Sequence, residues 1–482
     1  MNLLEKGGIT LFTARKYFWI LLVLCIFLLG LSHYIRFYST NGLLLDGDSY
    51  NSLRLADYSN LNAINNFDEL SYGGRVNLEE FGWYYLISFS PGLLVRILPF
   101  FLGILSFVLF YLLVDKVKPE LKFMASLILI VSPTFLYFFS VSTKYLASVF
   151  FIILGFYLFK TDKKILSYLS FLLSGFFSIF GLFLVLLSFL FYAYTKKSYK
   201  EFSLLLTFFL ISFILQFYRL LFIGLPPDFL LGLREFSFVN LISFIIFEFG
   251  GKYGFSLFIF VLALIGIYFY YNRFYRFIFI YLVLFFLLLF AFYNHYILFY
   301  LSFLMAFFAA LAFSMLFKHN WKSGIFKFMT LLVLICGILF SFLVYYNELP
   351  NFSPDQNYFQ AIKLLKSHDN QDVVFSSYRN ADFIKYANKK TFLDENALYV
   401  SDIDQRINDF EVIMNSTDLN KTLSYFNNYN VTYILFDKKT KIRYFNNNNE
   451  KFMFLLTYGG NYFIPLVVND DVGLWSINRS VQ

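Results

Sequence analysis

Residues 17–34 read YFWILLVLCIFLLGLSHY, and residues 45–54, shortly beyond, read LDGDSYNSLR. The first stretch holds no Asp, Glu, Lys or Arg, and about 20 such residues are enough for a helix to cross the hydrocarbon core of a bilayer. It therefore reads as a membrane span, and the second stretch sets two carboxylates just beyond its end. Runs of the same kind recur as far as Tyr346, giving candidate spans at 17–34, 93–114, 121–139, 145–159, 165–179, 181–194, 202–224, 254–271, 277–293, 296–317 and 326–346. Composition agrees: of 482 residues, 59% are hydrophobic, 23% aromatic and 15% charged. Soluble domains run nearer 45–50% apolar and about 25% charged. A large soluble core would also interrupt such runs with polar faces at helical period.

Charge gives these spans a direction. Lys and Arg cluster at the N-terminus, at Lys116–Lys122, Lys160–Lys164, Lys196–Lys200, Arg273–Arg276 and Lys318–Lys327. In a count of about eleven crossings these are alternate loops, as the positive-inside rule requires. The N-terminus is then cytoplasmic, and the first span, preceded by Lys6, Arg15 and Lys16, reads as a retained signal-anchor. The apolar stretch 165–194 must be two short spans to keep the parity, and 239–249, short and amphipathic, lies against the interface. The net charge of +8 is accounted for by these basic loops, with no call for nucleic acid.

Two segments fall outside: a first external loop, 35–91, and a C-terminal domain, 347–482. The tail is rich in Asn, Asp, Lys and Tyr. It alternates helical patterns (Gln356–Ser367, Asp418–Tyr429) with β-rich runs (Asp372–Ser376, Val431–Phe436), the mark of a small α/β domain. Five Asn-x-Ser/Thr sequons, at Asn351, Asn415, Asn420, Asn430 and Asn478, fit exposure there, although an Asn-rich segment produces some by chance. Cys25 and Cys336 both sit in apolar runs and imply neither a disulfide nor a metal site.

In the first loop, Asp46-Gly47-Asp48 places two carboxylates one residue apart, able to hold a divalent cation or to serve as a general base. The same tripeptide is also ordinary turn chemistry. Arg219, near the outer end of its span, snorkels to the interface, since a charge at a helix centre costs about 2.5–3.5 kcal/mol. The 71 Phe and 38 Tyr read as lipid-facing bulk and interface belts. Gly-rich phosphate loops, Cys/His clusters and nucleophile elbows are absent from the sequence.

Asp48 to Arg54, Asp-Ser-Tyr-Asn-Ser-Leu-Arg, resembles the pattern that follows the first span in catalytic subunits of oligosaccharyltransferases. In that family the aspartate belongs to the active site. Asp68–Phe81 is similar to the second half of the family's loop, without its Pro-Pro pair before Tyr84. Leu233-Arg234-Glu235 sits where the family carries a Thr/Ser-Ile-x-Glu motif, and Phe247–Gly251 with Leu257–Phe269 resembles the region after it. In the tail, Val373–Ser376 followed by Ala387–Asp394 resembles the family's strand and Ala-Asn-Arg-x-Thr segment. The motifs keep the family's order over most of the chain.

Three departures accompany the resemblance. The family's Trp-Trp-Asp motif, which reads the acceptor sequon, is replaced by Ser377-Tyr378-Arg379-Asn380-Ala381-Asp382. Its acidic metal ligands after the third span are replaced by Ser142-Thr143-Lys144-Tyr145. The late external loop that carries its phosphate-contacting arginine reads Tyr293-Asn294-His295-Tyr296 here.

The resemblance implies a polytopic α-helical membrane protein of GT-C-like fold, with about 11 transmembrane helices and a C-terminal extracytoplasmic α/β domain. It implies transfer of a sugar or glycan from a polyprenyl-phosphate-linked donor to a glycan, lipid or protein acceptor on the outer face of the cell membrane. Asp48, Asp46 and Glu235 are the implied catalytic residues, and His295, Lys144 and Arg75 the implied contacts of the donor phosphate. Asp48 and Glu235 are the candidate ligands of a divalent cation, Mg or Mn. A cation at Lys144 has a rival role, to stand in for that metal or meet a phosphate as a point charge. Two readings compete with an enzyme: an inactive scaffold or glycan-binding subunit of the same architecture, favoured by the missing acidic pair, and a transporter of lipid-linked glycans. Transporters usually carry internal repeats, and none is evident here.

Overall fold

A computed structural model describes residues 11–39, 43–59, 67–76, 80, 82–196, 199–217, 238–270, 274–291, 294–368, 372–394, 400, 402–445 and 450–478. In its described residues each apolar run of the sequence falls mainly on helix. The helices are Leu11–Ser39, Pro91–Val117, Lys144–Lys160, Lys164–Phe177, Ile179–Lys196, Lys200–Phe217, Leu257–Tyr270, Phe274–Ala291, Tyr296–Lys318 and Gly324–Glu348, with one run divided in two. Among the described residues, four of these helices are long and apolar enough to cross a membrane: the first, Pro91–Val117, Tyr296–Lys318 and Gly324–Glu348. Tyr296–Lys318 is the central helix, buried over most of its length. Gly324–Glu348 instead turns Phe328, Val333, Phe340 and Leu343 outward, an apolar face of bilayer length.

Close approach of the central helix to Leu257–Tyr270 depends on Gly266, where a Cβ would collide with the backbone carbonyl of Phe308. Small residues let membrane helices pack backbone to backbone in this way.

The run 121–139 is not one helix. Lys122–Ile130 stops at Val131, and Pro133–Phe138 starts afresh. Pro133 has no N–H to continue the ladder, and it forces Ser132 into extended backbone (φ −71°, ψ 124°). The second piece is buried throughout and carries Tyr137 toward the first loop.

That loop begins with the helix Gly47–Ser59. Ser52 Oγ donates to the Ser142 carbonyl (3.0 Å), and Ser142 N–H donates to Ser49 Oγ (2.9 Å), so this helix is tied to the segment after Phe138. Two short antiparallel strands, β1 (Phe67–Asp68) and β2 (Arg75–Val76), close the hairpin that follows.

Beyond Glu348 the chain forms a five-stranded sheet in the order β4 (Lys390–Thr391), β3 (Val373–Phe375), β5 (Val431–Asp437), β7 (Val472–Ile477), β6 (Phe463–Val468). β3 runs parallel to β4 and β5; β7 is antiparallel to β5 and β6. Neighbouring residues on one strand face opposite sides, so β5 sends Ile434 and Phe436 to one face and Leu435 to the other. The helix Gln356–Ser367 covers the Leu435 face through Ala361, Ile362 and Leu365. Ile403–Met414, Leu419–Asn428 and Phe452–Tyr458 cover the opposite face. Burial on both sides explains why β5 lacks a polar alternation. Asp418 caps Leu419–Asn428, accepting from Lys421 N–H at 3.2 Å.

The first loop and this sheet are joined. Thr391 N–H on edge strand β4 donates to the Leu70 carbonyl (2.8 Å), and Tyr72 donates its hydroxyl to the Asp394 carbonyl (2.5 Å). An otherwise open sheet edge is thereby covered.

Candidate active site

Asp46 and Asp48 stand at the start of the Gly47–Ser59 helix, where unpaired N–H groups favour carboxylates. Asp46 Oδ1 accepts from Gly47 N–H (2.8 Å); its Oδ2 accepts from the Tyr137 hydroxyl (2.5 Å), Lys252 Nζ (3.2 Å) and the Tyr253 hydroxyl (3.4 Å). Burial alone would raise the Asp46 carboxyl; Lys252, the Tyr137 hydroxyl and His295 outweigh it and hold the group below its ordinary value.

Asp48 Oδ2 accepts a hydrogen bond from the Tyr296 hydroxyl and lies 3.9 Å from His295 Nε2. The His295 imidazole stacks on Tyr253 (centroids 4.1 Å apart, 19° between planes), and Tyr296 stacks on Tyr145 (3.8 Å). Aromatic faces thus fix the orientation of the groups that meet Asp48. About a third of the Asp48 side chain stays exposed.

Lys252 is carried by a folded loop. Gly250 adopts φ 94°, and Ile246 and Phe255 pair across the loop, with Phe247 N–H donating to the Phe255 carbonyl (2.8 Å). Thr134 Oγ1 donates to the Gly254 carbonyl (2.7 Å), pinning the loop to the Pro133–Phe138 helix. Glu248 anchors its other side: it accepts from Leu257 N–H (3.0 Å), the first residue of Leu257–Tyr270, and from Ser341. The ammonium lies over the rings of Tyr137, Tyr253 and Phe352 at 5.3, 5.6 and 5.8 Å.

The structure brings Asp46, Asp48 and His295 together and leaves other predicted residues apart. Lys144 pairs with Glu80 and lies 5.5 Å from the centroid of Tyr145, the ring on which Tyr296 stacks. Arg75 turns toward the tail: its Nε donates to Ser71 Oγ (2.8 Å), and Ser71 donates to Asp394 (2.6 Å). It is therefore a residue of the loop–sheet joint. Glu235, Arg234 and Arg219 lie outside the described residues.

Asp382, on the helix Ala381–Tyr386, was read only as part of a replaced motif. A Cβ at Gly47 would lie 3.2 Å from its Oδ2, so the tail reaches the residue between the two candidate aspartates. Lys385 Nζ bonds both Asp382 (2.9 Å) and Asp394 (3.0 Å). Burial raises Asp382 above the ordinary carboxylate range despite that lysine, whereas Lys385 and Arg75 hold Asp394 below it.

No family model matches the chain, and no curated protein sequence matches it. Solved structures do. An oligosaccharyltransferase of Archaeoglobus fulgidus, in complex with Zn and sulfate, superposes with a TM-score of 0.60, covering 92% of this chain and 71% of that one at 13% identity. The same enzyme tethered to an acceptor peptide with an NVT sequon gives 0.57, over 90% and 70%, at 12% identity. The oligosaccharyltransferase AglB of A. fulgidus, with an inhibitory peptide and a dolichol-phosphate, gives 0.53 over 98% and 75%, at 11% identity. The chain shares their fold. The chemistry at the site must be argued from its own residues.

A divalent cation is part of what that resemblance implies, and the described residues do not suit one. Among them there is no group of three His, Cys, Asp or Glu side chains that could hold a metal ion; Glu235, one of the two candidate ligands, lies outside the described residues. The Asp46 carboxylate faces an ammonium and two phenols, and Asp48 faces a phenol and an imidazole already stacked in place.

Proposed function

We propose that this chain is a membrane glycosyltransferase of GT-C type. It moves a sugar or glycan from a polyprenyl-phosphate-linked donor to a glycan, lipid or protein acceptor on the outer face of the cell membrane. The observation that carries this reading is the meeting of Asp48 with His295 and Tyr296, residues from opposite ends of the helical region, at a partly exposed carboxylate. The shared fold supports it, because the neighbouring structures hold an acceptor peptide in one case and a dolichol-phosphate in another.

In this reading residues 1–346 form the transferase domain with about 11 crossings, and 347–482 form an extracytoplasmic α/β domain. Asp48 assists the acceptor nucleophile as general base, and Tyr296 fixes its carboxylate. His295 faces the departing phosphate, and Lys144, held by Glu80, adds positive charge on the Tyr145 side. The acceptor enters beside Asp382, where the tail touches Gly47.

A second reading, an inactive glycan-binding relative, is favoured by one observation. Ser142 to Tyr145 offer no carboxylate, and the lysine among them is matched by Glu80. Purified protein offered polyprenyl-phosphate-linked sugars and extracted glycan acceptors separates the two. Turnover lost in Asp48→Ala supports the transferase; donor binding without turnover by the wild type supports the inactive relative.

A further inference from the structure

Within the transferase reading, on which this inference rests, we infer that the Lys252 ammonium takes the place of the divalent cation and binds the donor's phosphate. Four observations converge on it. Lys252 sits on a loop held at both ends, by Thr134 on one side and by Glu248 with Leu257 and Ser341 on the other. Its Nζ is 3.2 Å from Asp46, the carboxylate two residues from Asp48. Three aromatic rings flank the ammonium and hold it in position without neutralising it. The side chain keeps 27% of its surface exposed, so a ligand has access to it.

Charge and donor count fit a phosphate. An ammonium carries three N–H donors, and Asp46 accepts from one of them. A compact point charge suits phosphate oxygens, as lysines do in other phosphate sites. With Asp46 held ionised by this contact, the pair is neutral as a whole, and what it offers a phosphate beside the Asp48–His295 pair is the fixed ammonium and its N–H donors. A divalent cation at Asp46 would have to displace the ammonium from its aromatic surround and strip the carboxylate of its phenol donors. A lysine fixed in the chain needs no loading from solution, so donor binding is expected to be indifferent to chelators.

The test uses the full-length protein in phosphatidylcholine nanodiscs and radiolabelled dolichyl phosphate, with dolichol, which lacks the phosphate, as the control. Wild-type affinity is expected to be the same in excess EDTA and in Mn2+, and Mn2+ electron paramagnetic resonance is expected to show no stoichiometric bound ion. Lys252→Met is expected to bind about tenfold or more weakly, the loss of one charge-assisted hydrogen bond. Lys252→Arg retains most of the binding. Wild-type binding that is lost in EDTA and restored by Mn2+, or a bound Mn2+ ion, overturns the inference and leaves the transferase reading standing. Lys252→Met binding as tightly as wild type also overturns it. Should Lys252→Met fail to fold, Lys252→Gln, whose amide still reaches for Asp46, and the EDTA arm on the wild type decide the matter. A wild type that prefers neither dolichyl phosphate nor dolichol sinks the donor class itself, and with it the inference.

Discussion

His295 Nε2 stands 3.9 Å from Asp48 Oδ2, beyond hydrogen-bond reach, while the Tyr296 hydroxyl donates to that same oxygen. Two adjacent residues at the head of the central helix therefore address one carboxylate in different ways. Tyr296 fixes its position, and the His295 imidazole stands beside it. Asp48→Asn is expected to lower turnover of a polyprenyl-phosphate-linked sugar by about 100-fold or more, the usual scale for a general base. Tyr296→Phe keeps the ring stacked on Tyr145 but loses the hydroxyl, and is expected to cost about tenfold, one hydrogen bond to a charged group. Initial rates at saturating donor check both; equal activity of Asp48→Asn and wild type rules out the assigned base.

Lys385 is almost wholly buried between Asp382 and Asp394. Lys385→Met would leave two carboxylates facing each other without the ammonium between them, and removing one partner of a buried pair typically costs about 3–5 kcal/mol. The thermal midpoint in detergent is expected to fall clearly. The triple variant with Asp382→Asn and Asp394→Asn is expected to recover part of that loss. No recovery in the triple variant would show that packing, not charge, is what Lys385 supplies.

Asp68 supplies a pH dependence. Burial alone would raise its carboxyl, but Arg54, bonded to both oxygens at 3.1 and 3.0 Å, holds it well below the ordinary carboxylate range. A depressed folded-state value adds stability at every pH above the unfolded value of about 3.9, and that stability is lost as the pH falls below it. The thermal midpoint of the wild type is therefore expected to drop from about pH 4 downward. Asp68→Asn, less stable at pH 7, should show a shallower drop over the same range. Parallel curves for the two proteins would refute the assignment.

The helical region was legible in the sequence because bilayer-length apolar runs leave few alternatives, and the described residues of these runs are mainly helical. The break at Val131–Ser132 was also written there, in Pro133, but the apolar character of 121–139 hid it. Within the sheet, β3, β5 and the helices Gln356–Ser367 and Leu419–Asn428 followed from periodicity. β6 and β7 did not, since their pairing with β5 is long-range and turns on tertiary contact. At the site, Asp46 and Asp48 were marked by two carboxylates one residue apart, and His295 by the place of its loop in the family order; the structure brings the three together. Lys252 was missed, although a lone lysine in Gly250-Gly251-Lys252-Tyr253-Gly254, between apolar segments, is itself a signal. Asp382 could not have been placed, because only the docking of the tail on Gly47–Ser59 brings it to Gly47.

Glu248 links the stability of a helix to the position of Lys252. One of its oxygens accepts from Leu257 N–H, among the first N–H groups of Leu257–Tyr270, which have no partner inside the helix. The other accepts from Ser341 on the outer helix Gly324–Glu348. Because only three residues separate Glu248 from Lys252 and Gly250 turns the chain between them, releasing the carboxylate frees one of the loop's two anchors. Glu248→Ala is expected to lower stability by about 0.5–2 kcal/mol, the scale of a lost helix cap. It is also expected to weaken dolichyl phosphate binding, since the ammonium is no longer held over Tyr137 and Tyr253. Ser341→Ala removes the second contact alone and leaves the cap in place, so its effect on binding should be the smaller of the two. Thermal melts alongside binding isotherms check the pair: a Glu248→Ala protein that loses stability yet binds as wild type would show that the Thr134 anchor alone fixes Lys252.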